Sequence, residues 1–255
     1  MTRVIKVGGR PQLDPQLPGF LAAAHCAAPG SLVVVHGGGD EVSTLQRLYG
    51  AVSQFRSGRR VTSVLDLEIV RMALSGSANK RLVSTLVAVG VPALGLSGED
   101  AALLSATPLD LDQYGFVGVP AEVNAGLLRH LLAGGYLPVV SPVSRCVDAS
   151  LGRTLNVNGD DAAGAIAVAL EADELLLVSD VTGVLVDGML EATLAPEMAQ
   201  RLIDDGTAQG GMAAKLQAAL AALEGGVGRV RISDIAAIEQ LDRGTVLTRV
   251  ESACA

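Results

Sequence analysis

The chain has 255 residues and a formal net charge of −8, and aromatic residues make up only 2% of it. This length suffices for a full α/β core, which must be built here from Val, Leu, Ile and Ala. The acidic balance disfavours a nucleic-acid partner, because phosphate backbones are bound through concentrated Lys and Arg. No apolar run reaches the ~20 residues of a membrane-spanning helix.

The cysteines and the first residues indicate the compartment. Cys26, Cys146 and Cys254 are odd in number and lack metal-ligand spacing, which favours free thiols. Met1 to Lys6 lead into an apolar strand pattern without the charged-then-apolar order of a signal peptide. We therefore expect a cytoplasmic protein.

Short β-branched runs alternate with longer helical patterns along the chain. The predicted strands are Val4–Val7, Leu32–His36, Ala93–Ser97, Leu137–Ser141, Leu175–Ser179, Val230–Ser233 and Thr245–Val250. The predicted helices are Pro18–Ala28, Leu65–Ala88, Val123–Ala133, Asp160–Leu170, Glu197–Asp204 and Ala213–Leu223. This order predicts an open, mainly parallel sheet covered by helices on both faces.

Two stretches, Ala51–Thr62 and Leu103–Val119, read as hairpins because they are rich in turn-forming residues. In open parallel sheets, insertions near strand ends commonly form the rim of a ligand site. No linker-like tract divides the chain. We expect one continuous sheet with a boundary between lobes near Leu170.

Glycine-rich loops follow the first two predicted strands, Lys6-Val7-Gly8-Gly9 and His36-Gly37-Gly38-Gly39. Backbone N–H groups at the carboxyl edge of a parallel sheet bind phosphates and carboxylates, and Lys6 adds a cation there. One such loop alone is compatible with a simple tight turn. Two at successive strand ends favour an anion-binding site.

Two familiar phosphate motifs are incomplete in this chain. The dinucleotide pattern G-x-G-x-x-G, started at Gly37, has Val42 in place of its last Gly. The P-loop pattern has Lys215, but Leu216 stands where Ser or Thr should ligate magnesium. Neither a Rossmann dehydrogenase nor a P-loop kinase is therefore supported.

Three later segments are rich in polar groups or Gly. Asn156 to Asp161 leads into an Ala-rich helix, where Asn158 or Asp160 alone would suffice as N-cap. Its surplus of amides and carboxylates suggests a site. Ser179 to Leu185 follows a buried strand, and Gly210-Gly211-Met212 precedes Lys215, although a Lys at a helix start is usually just solvated.

Together these segments resemble the amino acid kinase family. The matching segments are Lys6–Gly9, His36–Gly39, Gly58–Thr62, Ala78–Lys80, Gly95–Gly98, Asn156–Asp160, Ser179–Gly183 and Gly210–Lys215. The resemblance extends from Lys6 to about Val250. It implies a three-layer α-β-α sandwich around an eight-stranded sheet, with residues 1–170 binding an acyl amino acid and residues 171–255 binding the nucleotide.

The resemblance also implies site residues. Lys6 and Lys215 match the lysines that flank the transferring phosphoryl group, and Asp160 matches the carboxylate that orients them. The substrate-binding matches are Gly38, Gly39, Arg60, Asn156 and Asn158, with Arg60 on the α-carboxylate. The phosphate- and nucleotide-binding matches are Gly8, Gly9, Ser179, Asp180, Gly183, Gly211 and Met212.

The implied reaction is ATP-dependent phosphorylation of the γ-carboxylate of N-acetyl-L-glutamate, as in arginine biosynthesis. Mg²⁺ is expected to be held mainly by the ATP phosphates rather than by protein ligands. The acceptor carboxylate is ionised at neutral pH, so no general base is needed. The resemblance further implies a homodimer, formed through the long helix Leu65–Ala88 and a neighbouring strand.

Three alternatives remain open at this point. The substrate could be succinylglutamate, or aminoadipate or glutamate linked to an acidic carrier protein, for which Arg56, Arg59 and Arg60 offer a small basic cluster. A non-catalytic metabolite sensor would be expected to have lost its lysines. Asp161 departs from the Gln or Thr that is commoner at this position in the family.

Overall fold

The computed structural model describes residues 1–186 and 188–248. The strands are β1 (Arg3–Val7), β2 (Leu32–His36), β3 (Phe55–Arg56), β4 (Arg59–Arg60), β5 (Ala93–Gly98), β6 (Leu104–Pro108), β7 (Val117–Val123), β8 (Leu137–Cys146), β9 (Thr154–Val157), β10 (Glu174–Val178), β11 (Leu185–Val186), β12 (Met189–Leu190), β13 (Arg229–Ser233) and β14 (Thr245–Thr248). The helices are α1 (Leu17–Ala27), α2 (Gly39–Leu48), α3 (Val64–Val70), α4 (Asn79–Ala88), α5 (Leu111–Tyr114), α6 (Ala125–Ala133), α7 (Gly159–Ala169), α8 (Pro196–Asp204) and α9 (Gly210–Glu224).

One ten-stranded sheet organises the molecule, in the order β14-β13-β10-β1-β2-β8-β6-β7-β9, with β5 also paired to β8. Its pairings are parallel except for β13–β14, β6–β7 and β8–β9. The predicted open, mainly parallel sheet is therefore confirmed. It has ten strands rather than the expected eight, because β6, β7 and β9 add three to the seven strands predicted from the sequence.

The sheet lies between two layers of helices. Val4 of β1 packs in the core on the side of α7 and α9, whereas Ile5 packs against α1 and α4 on the other side. Leu175 and Leu176 of β10 alternate in the same way. Since successive strand residues point to opposite faces, a strand apolar at every position indicates a sheet covered on both sides. The α-β-α sandwich is confirmed.

The predicted helix Leu65–Ala88 is helical throughout, with the π-helical segment Arg71–Ala78 joining α3 to α4. Ser63 caps the start of this run in a capping box, because its hydroxyl accepts from the Asp66 N–H while Asp66 accepts from the Ser63 N–H.

No helix in the described part of the chain is both long and apolar enough to cross a membrane.

The sequence prediction missed helix α2 and strand β9. Helix α2 buries only Val42 and Gln46. Strand β9 has four residues and buries Leu155 and Val157. Each buries only two side chains, so little apolar sequence marks it.

Two sequence predictions at the C-terminus concern undescribed residues. The end of the predicted last strand, Arg249 and Val250, lies outside the described residues, as does Cys254. The division into lobes 1–170 and 171–255 stays a prediction, and the main sheet crosses it through the β1–β10 pairing.

Candidate active site

The two glycine loops meet at the carboxyl edge of the sheet. Strands β1 and β2 are adjacent and parallel, so the residues that follow them emerge side by side. A Cβ on Gly9 would lie 3.3 Å from the backbone N of Gly39, closer than a side chain fits comfortably. The close approach of the two loops therefore depends on Gly at position 9.

Lys6 and Lys215 converge on one carboxylate, as predicted. Lys6 Nζ lies 2.8 Å from Asp160 Oδ1, and Lys215 Nζ donates a hydrogen bond to Asp160 Oδ2 at 3.2 Å. Lys6 ends β1, Asp160 lies in the first turn of α7 and Lys215 lies near the start of α9. Residues separated by as many as 209 positions in the printed sequence thus form one charged cluster.

Burial and charge act in opposite directions on this cluster. Burial alone would raise the pKa of Asp160, but the ammonium groups of Lys6 and Lys215 outweigh it and hold the pKa below its usual range. Burial and the charge of Lys6 lower the pKa of Lys215, while Asp160 opposes that shift. Asp160 therefore remains ionised and keeps two mutually repelling cations together.

Backbone N–H groups of the loops face the same place. The N–H groups of Gly9, Gly38 and Gly39 have no hydrogen-bond partner within residues 1–186 and 188–248. Gly8 is different, because its N–H donates to Val178 O at 3.1 Å. The predicted phosphate-binding role of Gly8 stays a prediction.

Two helices also begin at this edge. Gly38 is the N-cap of α2, and Asn158 is the N-cap of α7, accepting from the Asp160 N–H at 2.8 Å. Helix N-termini favour anions because their first N–H groups are free and the helix dipole is positive there. The edge thus combines lysines, amides and two dipoles.

A cleft of about 210 Å³ opens at this point. The predicted site residues in its lining are Lys6, Gly9, Gly38, Gly39, Arg60, Asn156, Asn158 and Asp160. The structure therefore brings the predicted substrate residues and two of the three predicted catalytic residues into one cavity. The third, Lys215, lies against Asp160 from the other side.

Arg60 is buried and held entirely by neutral oxygens. Its Nη1 donates to Gln46 Oε1 and to Ser53 Oγ, the latter at 2.6 Å, and its Nη2 donates to Gly39 O and Ser43 Oγ at 2.9 and 3.0 Å. Arg60 forms no ion pair within the described residues. A buried, positioned cation without a carboxylate partner is a suitable site for a substrate carboxylate.

The aromatic ring of Phe55 lies against this guanidinium, with 4.7 Å between the ring centroid and Arg60 Cζ. Burial lowers the pKa of Arg60, against the raising effect of Asp66 and Asp40. Arg60 remains charged because its ordinary pKa is so high. The ring stabilises the guanidinium through a cation–π contact.

Asn156 and Asn158 differ in role. Asn156 Nδ2 donates to Thr62 Oγ1 at 3.0 Å, and Thr62 Oγ1 donates to Arg60 O at 2.8 Å, so Asn156 is tied to the segment that carries Arg60. Asn158 caps α7, the simpler of its two expected roles. Both still face the cleft.

Comparison with known proteins agrees with this geometry. A family model with the description "Amino acid kinase family" matches residues 1–234. The chain belongs to the amino acid kinase family. It is 45% identical over 233 residues to acetylglutamate kinase of Geobacillus stearothermophilus, covering 91% of this chain and 89% of that protein. Acetylglutamate kinase of Chloroflexus aurantiacus is 44% identical over 253 residues, covering 97% of each chain.

Solved structures share the fold of this amino acid kinase. A Streptococcus mutans UA159 protein matches with a TM-score of 0.87 and 32% identity, covering 97% of this chain and 98% of that one. N-acetylglutamate synthase of Neisseria gonorrhoeae, solved with coenzyme A and N-acetyl-glutamate, matches with a TM-score of 0.82 and 27% identity, covering 98% of this chain and 60% of that one. The predicted family and its fold are confirmed.

Apart from Gly9, the predicted phosphate- and nucleotide-binding residues of this amino acid kinase lie outside the lining of the 210 Å³ cleft. Ser179 follows β10, and its buried hydroxyl has no hydrogen-bond partner in the described chain. Asp180 forms an ion pair with Arg10, with 2.9 Å between Asp180 Oδ2 and Arg10 Nη1. The charge of Asp180 also raises the pKa of Lys215 and so partly offsets the lowering of that pKa by burial.

The remaining nucleotide residues flank Lys215 and β14. Gly211 and Met212 lie in the first turn of α9, just before Lys215. Gly183 has φ +156 and packs against Thr245, where a Cβ would lie 2.6 Å from the hydroxyl oxygen. The nucleotide-binding roles of these residues stay predictions.

Sequence reasoning missed several polar partners of this amino acid kinase. Gln46 and Ser53 orient Arg60, but neither stands in a recognised motif. Arg59 Nη1 lies 2.5 Å from Asp161 Oδ2, whereas the sequence alone indicates only that Asp161 departs from the commoner residues of the family. The only signal in the sequence that could have indicated these contacts is the presence of polar residues close to predicted site residues.

Proposed function

We propose that this chain transfers the γ-phosphoryl group of ATP to the γ-carboxylate of N-acetyl-L-glutamate. The observation that carries the proposal is the meeting of Lys6 and Lys215 on Asp160, beside loops whose Gly9, Gly38 and Gly39 N–H groups are free. Relatives at 44 and 45% identity that are named acetylglutamate kinase support this choice of acceptor.

The acceptor presents two carboxylates, which need separate partners. Arg60 would bind the α-carboxylate, which would replace some of the neutral oxygens around its terminal nitrogens, because hydrogen bonds to an ionised acceptor are stronger. Asn156 would hold the acylamino group through its amide. The γ-carboxylate would then extend toward Lys6 and the glycine loops, with all three groups in one cleft.

In the transfer step an oxygen of the γ-carboxylate attacks the γ-phosphorus of ATP. The bond from that phosphorus to the β,γ-bridging oxygen breaks, and ADP leaves with the electron pair. The obstacle is charge, since an anion must approach a triphosphate. Lys6, Lys215 and the loop amides would neutralise the moving group and stabilise the transition state.

Magnesium fits this scheme as part of the nucleotide. Both carboxylate oxygens of Asp160 are engaged by lysines. We therefore assign the phosphate oxygens of ATP as the main Mg²⁺ ligands, in line with the preference of Mg²⁺ for phosphates and water. Bound there, Mg²⁺ would neutralise the β- and γ-phosphates.

A substrate panel tests the proposal. The purified chain is incubated with Mg²⁺, ATP and hydroxylamine, which converts an acyl phosphate to a coloured hydroxamate, and with acetylglutamate, succinylglutamate, aspartate or a carrier-linked glutamate. We expect hydroxamate with acetylglutamate at the highest kcat/KM. Turnover confined to succinylglutamate or the carrier conjugate would replace the proposed substrate, and ATP binding with no turnover would indicate a sensor.

A homodimer in the cytoplasm is part of this proposal. Val64, Leu65, Met72 and Val87 on the long helical run are 44, 47, 44 and 53% exposed, so that face offers apolar surface for a second copy. Size-exclusion chromatography with light scattering would test it. A single species with the mass of one chain at micromolar concentration would contradict the dimer.

A further inference from the structure

An ion pair ties the hairpin that carries Arg60 to the helix that carries Asp160. Arg59 Nη1 lies 2.5 Å from Asp161 Oδ2, and the two side chains are 20% and 15% exposed. Arg59 directly precedes Arg60 on β4, and Asp161 directly follows Asp160 on α7. The contact therefore joins the proposed substrate-binding and phosphoryl-transfer residues one position away from each.

The hairpin needs such a tie because it is not part of the main sheet. Strands β3 and β4 form a separate two-stranded sheet. Within residues 1–186 and 188–248, no other hydrogen bond or ion pair joins the hairpin to α7. Its Arg56 contacts Gln113 instead, away from the cleft. The Arg59–Asp161 contact is thus the direct polar link between this hairpin and α7 in the described chain, in addition to the hydrogen bonds that hold the Arg60 side chain.

Arg59 also neutralises a charge that would oppose the substrate. Burial raises the pKa of Asp161 and the adjacent Asp160 adds to this, while Arg59 opposes it. Without Arg59, a mostly buried second carboxylate would stand beside the phosphoryl-transfer residues. Breaking a partly buried pair from the cationic side leaves the anion uncompensated, which costs more than removing both charges.

We propose that Arg59 and Asp161 act as a positioning pair, which sets Arg60 against the Lys6–Asp160–Lys215 cluster and shields the anionic acceptor from Asp161. The inference rests on the proposed function, since it concerns binding of the acyl amino acid. It assigns the pair no direct contact with the reacting atoms.

Calorimetric titration of variants with acetylglutamate, and separately with MgATP, tests the pair. In Arg59→Met we expect the Kd for acetylglutamate to rise about tenfold, within the range of coupled neighbouring side chains, and the Kd for MgATP to stay within about twofold. Asp161→Asn should raise the Kd for acetylglutamate by less than Arg59→Met does. The double variant Arg59→Met/Asp161→Asn should bind acetylglutamate more tightly than Arg59→Met alone, because it removes the unpaired carboxylate.

Two further variants serve as controls. Arg56→Met removes an arginine from the same hairpin without touching α7, and we expect both Kd values to stay within about twofold of the wild type. Arg59→Lys keeps the charge and should recover part of the affinity lost in Arg59→Met. Thermal denaturation of each variant separates misfolding from altered binding.

Several results would overturn the pair. An unchanged Kd for acetylglutamate in Arg59→Met would do so, as would equal loss for both ligands or strict additivity in the double variant. Failure of the wild type to bind acetylglutamate would instead count against the proposed function, so the two failures are distinguishable.

Discussion

Asn79 fixes the tautomer of His36. The side-chain nitrogen Nδ2 of Asn79 donates to Val139 O at 2.9 Å and lies 3.1 Å from His36 Nε2. Because that amide nitrogen is a donor, Nε2 must accept, which leaves the proton on Nδ1, 2.9 Å from Gly37 O. The buried imidazole thus anchors the carbonyl that begins the second glycine loop.

This arrangement predicts a pH dependence of stability. Burial lowers the pKa of His36 from 6.5 to about 4. Between these values the unfolded chain binds the proton and the folded one does not. The stabilisation by neutral His36 is therefore complete above pH 6.5 and is lost as the pH falls toward 4, by up to about 3 kcal/mol. Urea denaturation at a series of pH values measures it.

Two variants isolate the contribution of His36. His36→Gln should lose this part of the slope, since it removes the titrating ring, whereas His130→Gln removes an exposed ring and should keep it. Parallel stability curves for the wild type and His36→Gln between pH 4 and 6.5 would show that His36 does not titrate as described.

The His36–Asn79 contact also shows what sequence could not predict. The meeting of Lys6, Asp160 and Lys215 could be predicted because their segments resemble those of the amino acid kinase family, whereas a lysine at a helix start such as Lys215 is by itself usually just solvated. The partners of His36 and Arg59 lie 43 and 102 residues away and have no fixed spacing. Such polar contacts depend on how helices pack, which local patterns do not encode.

The glycine at position 38 gives a second prediction. Gly38 has φ +154, which L side chains rarely adopt, and a Cβ there would lie 2.7 Å from Leu74 Cδ2. Gly38→Ala should lower the free energy of unfolding by about 1–3 kcal/mol. Gly37→Ala is the matched control, since its nearest atoms would be 3.9 Å away. Denaturant titration measures the free energy of unfolding of both variants. Equal losses of this free energy in Gly38→Ala and Gly37→Ala would contradict this account.

The chain contains three lysines, Lys6, Lys80 and Lys215, and two of them contact Asp160. Replacing Lys6 or Lys215 by Ala should lower kcat by about 100-fold or more, the scale of losing a preorganised charge contact to the transition state. Lys80→Ala is the control, because Lys80 is exposed and donates to Gly95 O. Coupled ADP release measures kcat. Near-normal turnover in folded Lys6→Ala and Lys215→Ala proteins would refute the assignment.

The last prediction concerns how Arg60 discriminates between ligands. Its four hydrogen bonds to Gln46, Ser53, Gly39 and Ser43 use both terminal nitrogens and hold the guanidinium plane in one orientation. Lysine keeps the charge but offers a single ammonium group with three donors, which lacks the planar fork and the five N–H donors of the guanidinium.

Arg60→Lys should therefore raise the Kd for acetylglutamate by about tenfold or more, while the Kd for MgATP changes by less than about threefold. Calorimetry with each ligand alone measures both constants. Arg56→Lys, an exposed change on the same hairpin, should leave both Kd values near the wild-type level. Equal weakening of the two ligands in Arg60→Lys would mean that Arg60 supports the fold of the cleft as a whole, and that another group binds the α-carboxylate.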